Sequence, residues 1–293
     1  MTRGREWGDR AAGCSDVKIL LTGGTGYIGS AVLSRLVEDG HQVTAVVRSS
    51  QSARAVQDAG AVSLVGDLFD RDWLASELAQ HDAAIHTAAG SDARDSELND
   101  AVIDAAIQAF GGTDRPFVLT GGIWTYGSNP QITETSPADA PPLTAWRVGA
   151  ERRLLDSDVR AIVVQPGIVH GHGAGIPAML VHSRVAPGTG QQHWTSVHVD
   201  DLADLYVRAL ESAGGQTYVG VSGHNPTVAE IATAIGDVTL EGDEATLGRL
   251  GAFGEALLLD QQAGGEKARA ELGWAPSGPN LIDDLKAGYA PTA

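Results

Sequence analysis

The chain has 293 residues, and 37 acidic against 20 basic side chains leave a net charge of −17. That charge argues against sequence-independent nucleic-acid binding, which needs a cationic face, and against anionic membrane surfaces. With 43% hydrophobic and 19% charged residues, a sizeable core is possible and wholesale disorder is excluded.

Met1–Asp16 mixes arginines with acids and has no apolar stretch, so a flexible extension and no secretory signal is expected there. It holds the single cysteine, Cys14, which has no internal partner; a reducing, cytoplasmic setting follows. No apolar run reaches the roughly 18 residues of a membrane helix.

From residue 17 the pattern alternates. Val17–Leu21 reads as a buried strand, and Val43–Val47, Ala61–Val65, Ala83–His86, Pro116–Leu119 and Arg160–Gln165 read as the strands that follow. Between them, helical spacing appears around Ile28–Val37 (closed by Gly40), Ser50–Ala59, Asp70–Leu78, Leu98–Phe110 and Leu143–Leu155. The series predicts an α/β fold with a doubly wound parallel sheet covered on both faces, a Rossmann fold over residues 17–165. Beyond Pro166 the rhythm weakens into a glycine-rich stretch, 167–190, followed by helices at Asp201–Leu210 and Ala229–Ile235 and a strand at Thr217–Val221. Residues 166–293 are expected to supply a smaller substrate lobe interwoven with the first domain.

Thr22–Gly29 carries Gly23, Gly26 and Gly29 between the first strand and the first helix. Glycines there permit a tight turn and let backbone N–H groups approach a pyrophosphate, which the helix N-terminus attracts. Thr25, Tyr27 and Ile28 complete this cofactor loop. At the end of the second strand, an acid would bind a ribose 2′-hydroxyl. Here stand Arg48 and Ser49 instead, a guanidinium and a hydroxyl suited to a 2′-phosphate. NADP(H) is therefore expected over NAD(H).

These residues resemble the short-chain dehydrogenase/reductase superfamily in its extended or atypical, NAD-dependent epimerase/dehydratase-like branch. Gly66-Asp67-Leu68 resembles the family's adenine-contacting segment, and Ile85–Ala89, with Thr87, Ala88 and Ala89, the strand-four segment lining the cofactor. Gln165–Gly171, with Pro166, Gly167 and Ile168, is similar to the stretch near the nicotinamide. Val197–Ala203 and Leu272–Pro276 match two further family segments. The resemblance implies a dinucleotide cofactor, a small-molecule substrate and a homodimer.

The family's catalytic pattern is broken. Anchoring on Glu151 puts Arg147 at the lysine position and Leu143 at the tyrosine position, all three on one helix face. Leu143 has no titratable proton. Arg147 can still hold a ribose but cannot deprotonate. Aligning on Tyr126-Gly127 puts Gly122 where the catalytic serine or threonine usually sits, with Thr120 two residues earlier. Tyr126, Thr120, His170 and the His193-Trp194 pair are the candidate proton donors, and Trp124, Trp146, His193 and Trp194 are expected to shape the substrate pocket. His170-Gly-His172 lacks a further ligand at metal-site spacing, so no metal is expected. Asp200 and Asp201 read as acids in the first turn of a helix.

The expectation is hydride transfer to or from a C=O, C=N or activated C=C bond, with a non-standard proton donor. Two alternatives stay open: an epimerase/dehydratase-like enzyme that retains its NAD(P), and a redox-inactive NAD(P)-sensing protein.

Overall fold

Strands buried on both faces read as unbroken apolar runs, and this one property organises the fold. The computed structural model describes residues 17–90 and 94–289. The extension at 1–16, with Cys14, lies outside the described residues. The order is β1 (Lys18–Thr22), α1 (Tyr27–Glu38), β2 (Gln42–Val47), α2 (Ser50–Asp58), β3 (Val62–Val65), α3 (Arg71–Leu78), β4 (Ala83–His86), α4 (Asp95–Phe110) and β5 (Pro116–Thr120). A 3₁₀ turn (Ile123–Tyr126) follows, then β6 (Asn129–Ile132), α5 (Ala145–Leu155), β7 (Arg160–Pro166), β8 (Ile168–His170), α6 (Ile176–Ser183), β9 (Val185–Ala186) and β10 (Ser196–His198). The chain continues with α7 (Val199–Ala209), β11 (Gln216–Gly220), α8 (Val228–Ile235), β12 (Thr239–Leu240), α9 (Asp243–Leu250), α10 (Ala252–Leu257), β13 (Gln261–Ala263), α11 (Glu266–Leu272) and α12 (Leu281–Lys286).

The central sheet has seven strands in the order β11-β7-β5-β4-β1-β2-β3. The β1/β2, β1/β4, β4/β5, β5/β7 and β2/β3 registers are all parallel. The order runs outward from β1 in both directions, which makes the sheet doubly wound, as expected, and its switch point lies between β1 and β4. Among the described residues no helix is long and apolar enough to cross a membrane.

Two units divide the chain. The first runs to Thr120 and adds Gly149–Val164 and Ala203–Thr217. Its core is the sheet's apolar runs: Ile19, Leu20 and Leu21 with Val32, Leu33 and Leu36 of α1, each at most 2% exposed. Burial of each such side chain contributes about 1.5–3 kcal/mol. The second comprises Gly121–Val148, Gln165–Leu202 and Tyr218–Ala293. Its core gathers Leu180, Trp194, Ile231, Leu257, Leu281 and Leu285. Helix α8 starts there on a capping box, in which the Thr227 hydroxyl accepts the Glu230 N–H and the Glu230 carboxylate accepts the Thr227 N–H.

Two local expectations are corrected. The glycine-rich stretch contains a helix, α6. Gly175 at positive φ and Pro177 in the first turn start it, and apolar Leu180 seats it in the core. Leu143 does not share a helix face with Arg147 and Glu151. The N–H groups of Thr144 and Ala145 both donate to the Pro141 carbonyl, a turn that delays α5 until Ala145.

Candidate cofactor groove and the residues of the broken relay

Helix α1 begins at the glycine turn with Gly26 as its N-cap. Among the described residues no side chain caps it, and its first turn has no acid. Its N-terminus is therefore an end at which the backbone dipole favours an anion. The Gly26 N–H donates to the Gly23 carbonyl at 2.8 Å, closing the turn. A Cβ on Gly23, at φ +79°, would lie 2.5 Å from the Ala88 nitrogen; one on Gly29 would lie 2.1 Å from the Gly23 carbonyl oxygen. Only glycine lets the loop, α1 and the segment after β4 meet this closely.

A cavity of about 500 Å³ opens above this turn. Gly23, Thr25, Gly26, Tyr27, Ile28, Gly29, Arg48, Asp67, Leu68, Thr87, Ala88 and Ala89, all singled out from the sequence, line it together. Val46, Val47, Phe69 and Leu98 also line it and were not foreseen, and so do Gly90 and Arg94, from a segment expected to line the substrate pocket. Arg94 sits 3.9 Å over the Phe69 ring and donates twice to Glu97, at 2.9 Å each. Those bonds hold the Glu97 carboxyl below its usual range. Thr87 donates to the Thr22 carbonyl at 2.8 Å, and Asp67 accepts the Phe69 N–H at 3.0 Å. Ser49 is not part of the lining; its hydroxyl caps α2 by accepting the Ser52 N–H at 3.2 Å. A helix end without a side-chain cap, a glycine-rich turn and an exposed Arg48 fit a dinucleotide phosphate chain.

Thr120, at the end of β5, is in the same unit. Its hydroxyl donates to the His86 carbonyl at 2.7 Å, so the Tyr206 phenol, also at 2.7 Å, donates to it. Tyr206 was missed because, at helical spacing among Leu202, Leu205 and Ala209, it reads as core, and it is fully buried.

Arg147, Pro166, Gly167 and Ile168 belong to the second unit. The Arg147 guanidinium lies 4.4 Å over the Trp146 ring. Ile168 is 4% exposed and joins the core, and a Cβ on Gly167 would fall 2.6 Å from the Thr195 carbonyl. Tyr126 is buried, its phenol donating to the Gln165 side-chain oxygen at 2.5 Å. His170 is buried as well, with Nδ1 3.0 Å from an Asp284 oxygen. Desolvation pushes its imidazole below the usual 6.5, and the hydrogen bond to Asp284 opposes that only in part. Trp194, expected on a pocket wall, is a core residue instead: it is 3% exposed and its Nε1 donates to the Leu257 carbonyl. Trp124 is half-buried, edge-on to Phe253 at 5.8 Å, and His193 is bonded to Asp260 at 2.8 Å. Leu143 is exposed, and a Cβ on Gly122 would meet nothing within 4 Å.

Taken together, the doubly wound sheet, glycine turn and groove define a dinucleotide-binding Rossmann protein. Residues 23–213 match the family model described as NAD(P)H-binding. The chain is 32% identical over 293 residues to the uncharacterized protein C2A9.02 of Schizosaccharomyces pombe, a match covering 92% of this chain and 98% of that one. It is 29% identical over 248 residues to the human epimerase family protein SDR39U1, covering 75% and 80%. The crystal structure of human SDR39U1 (isoform 2) with NADPH superposes with a TM-score of 0.73 at 24% identity, over 92% of this chain and 98% of that one. The chain belongs to the NAD(P)H-binding family, and the human relative to which it is similar is named as an epimerase family protein.

Proposed function

We propose that this protein is an NADP(H)-dependent oxidoreductase that transfers hydride to or from a small organic substrate without the family's tyrosine as proton donor. The observation that carries this reading is the groove: its glycine turn is intact, and Arg48 stands where an acid would select NAD(H). The presence of NADPH in the SDR39U1 crystal structure supports the same choice.

In this reading the α1 N-terminus and the Gly23–Gly29 turn hold the pyrophosphate, and Arg48 meets the 2′-phosphate. Asp67 and Leu68 flank the adenine, and Thr87, Ala88 and Ala89 form the floor of the groove. Arg147 takes over the ribose-binding part of the missing lysine. When bound, the nicotinamide supplies or accepts the hydride. Trp124, Trp146 and His193 are assigned to the substrate side, in the lobe formed mainly by 166–293.

The proton must come from elsewhere. Leu143 has none, Thr120 and Tyr126 each direct their hydroxyl proton to an acceptor within the fold, and His170 is buried against Asp284. His193, paired with Asp260, solvent or the substrate itself is left as donor, and the latter two favour bonds that are electrophilic without an enzymic acid, such as iminium ions and activated C=C bonds. The test is a calorimetric titration of the purified protein with NADPH and NADH. Binding with preference for NADPH is expected; absence of binding by either overturns the proposal.

A further inference from the structure

We propose that His172, His198 and Asp200 form a binding site for a divalent transition-metal ion. Strands β8 and β10 pair in parallel, with His170 opposite His198. The residues that follow each strand therefore emerge at the same end of the pair. His172 comes from the loop after β8, and Asp200 from the first turn of α7, directly after β10. The two are 28 positions apart, which hides the set from any reading of local spacing.

Three ligand atoms converge. His172 Nε2 lies 2.9 and 3.0 Å from the two carboxylate oxygens of Asp200. His198 Nδ1 lies 3.6 Å from Asp200 Oδ2. All three groups place their ligand atoms within 4.8 Å of one another. Two donors on one tetrahedral ion, each about 2.0–2.1 Å from it, stand roughly 3.4 Å apart, so little movement is needed.

The electrostatics point the same way. The Asp200 N–H donates to His198 Nδ1 at 3.3 Å, so that nitrogen is the acceptor of the ring, and a metal would take its lone pair over from this long bond. The nitrogen thereby faces a carboxylate oxygen, acceptor against acceptor, a geometry that a cation relieves. Two imidazoles and a carboxylate are borderline donors suited to Zn²⁺ and its first-row neighbours. The Asp200 and His172 side chains are 59% and 39% exposed, so water can complete the shell.

The cluster rests on a rigid base. A Cβ on Gly171, at φ +116°, would fall 2.5 Å from His198 Nε2, and one on Gly278 3.0 Å from the His198 Cβ. Glycine at both positions lets the two loops close on the His198 side chain, most strictly at Gly171. The neighbouring Asp201 is not a ligand: its carboxylate accepts the N–H groups of Ser277 and Gly278. Nor is His170, which is held by Asp284.

The test uses the full chain, stripped with a chelator and titrated with Zn²⁺ by calorimetry and with Co²⁺ by visible absorption. One tight site per chain is expected, with d–d bands of a low-symmetry nitrogen/oxygen shell. His172→Gln and Asp200→Asn should each weaken it by more than about tenfold, since even partners outside the ligand shell are worth roughly 10–100-fold. His182→Gln, an exposed histidine elsewhere, should leave it unchanged. Failure to bind either ion, or equal binding by wild type, His172→Gln and Asp200→Asn, overturns the proposal and leaves an ordinary histidine–aspartate ion pair.

Discussion

Arg48 makes the sharpest demand on the proposed cofactor. It is exposed at the end of β2 and lines the groove. A hydrogen bond to a charged group is worth about 1.5–3 kcal/mol, and solvent exposure puts Arg48 near the lower end. Because 1.4 kcal/mol is a factor of ten, Arg48→Ala should raise the Kd for NADPH about tenfold. NADH, without the 2′-phosphate, should be held as before. Arg94 is the internal comparison. It lines the same groove, but Glu97 accepts two of its hydrogen bonds and neutralises part of its charge. Arg94→Ala should therefore cost less selectivity than Arg48→Ala. Raising the ionic strength should narrow the NADPH preference of the wild type, since salt screens an exposed ion pair. Fluorescence titration of both cofactors against both variants decides it. Equal loss for NADPH and NADH, or no loss for either, would refute the assignment of Arg48 to the 2′-phosphate.

The other expectations use the same preparations. Gly29→Ala forces a Cβ to within 2.1 Å of the Gly23 carbonyl; it should abolish cofactor binding and cost about 1–3 kcal/mol of stability by overpacking, and unaltered titration would show that the turn is not the phosphate site. Arg147→Ala should weaken cofactor binding by about 1.5–3 kcal/mol if the guanidinium holds the ribose; unchanged affinity would remove it from the site. Tyr126→Phe should lower kcat by less than tenfold, because a true general acid contributes roughly 10²–10⁴-fold, and a loss in that range would restore Tyr126 as the acid. For His170, burial lowers the folded-state pKa below the usual 6.5, so just below pH 6.5 the unfolded chain binds more protons than the folded one. The associated stability is complete above about pH 6.5 and is lost as pH falls toward the folded-state value, at up to about 1.4 kcal/mol per pH unit. His41 and His224 are shifted in the same direction, also chiefly by burial, so His170→Gln should flatten the dependence of Tm on pH between 7.5 and 5 without abolishing it; parallel curves would contradict this.

What the sequence revealed follows from the range of the forces involved. Strands β1, β2, β4, β5 and β7 were legible because a parallel strand covered on both faces must be continuously apolar. The groove was legible because its glycines meet a backbone requirement within eight residues of chain. Phe69 was not, since its place in the groove depends on where a later loop returns to the sheet. The pairs β8/β10 and β9/β12 are two or three residues long and carry no periodicity. Trp194 was misplaced because an aromatic residue in a polar loop looks the same whether it lines a pocket or, as here, anchors the core through Leu257. The convergence of His172 with His198 and Asp200 is set by pairing between strands and is invisible in spacing along the chain.

The two halves of the family's machinery are held by different constraints, and that explains how one can be lost while the other stays. The cofactor half is fixed by sterics. Gly23 and Gly29 exclude any Cβ because the turn, α1 and the segment after β4 are in backbone contact, so most changes there damage the fold as well as the site. The catalytic half has no such lock. Gly122 stands in open space and Leu143 is exposed in a turn before α5, so side chains there can change at little cost to packing. In the proposed reading, the lack of a serine at Gly122 and of a tyrosine at Leu143 is a change of chemistry on an unaltered scaffold. In the proposed reading, a protein that keeps the sterically demanding groove without the relay fits a cofactor put to a reaction in which the substrate is electrophilic enough to accept hydride without a proton from a phenol.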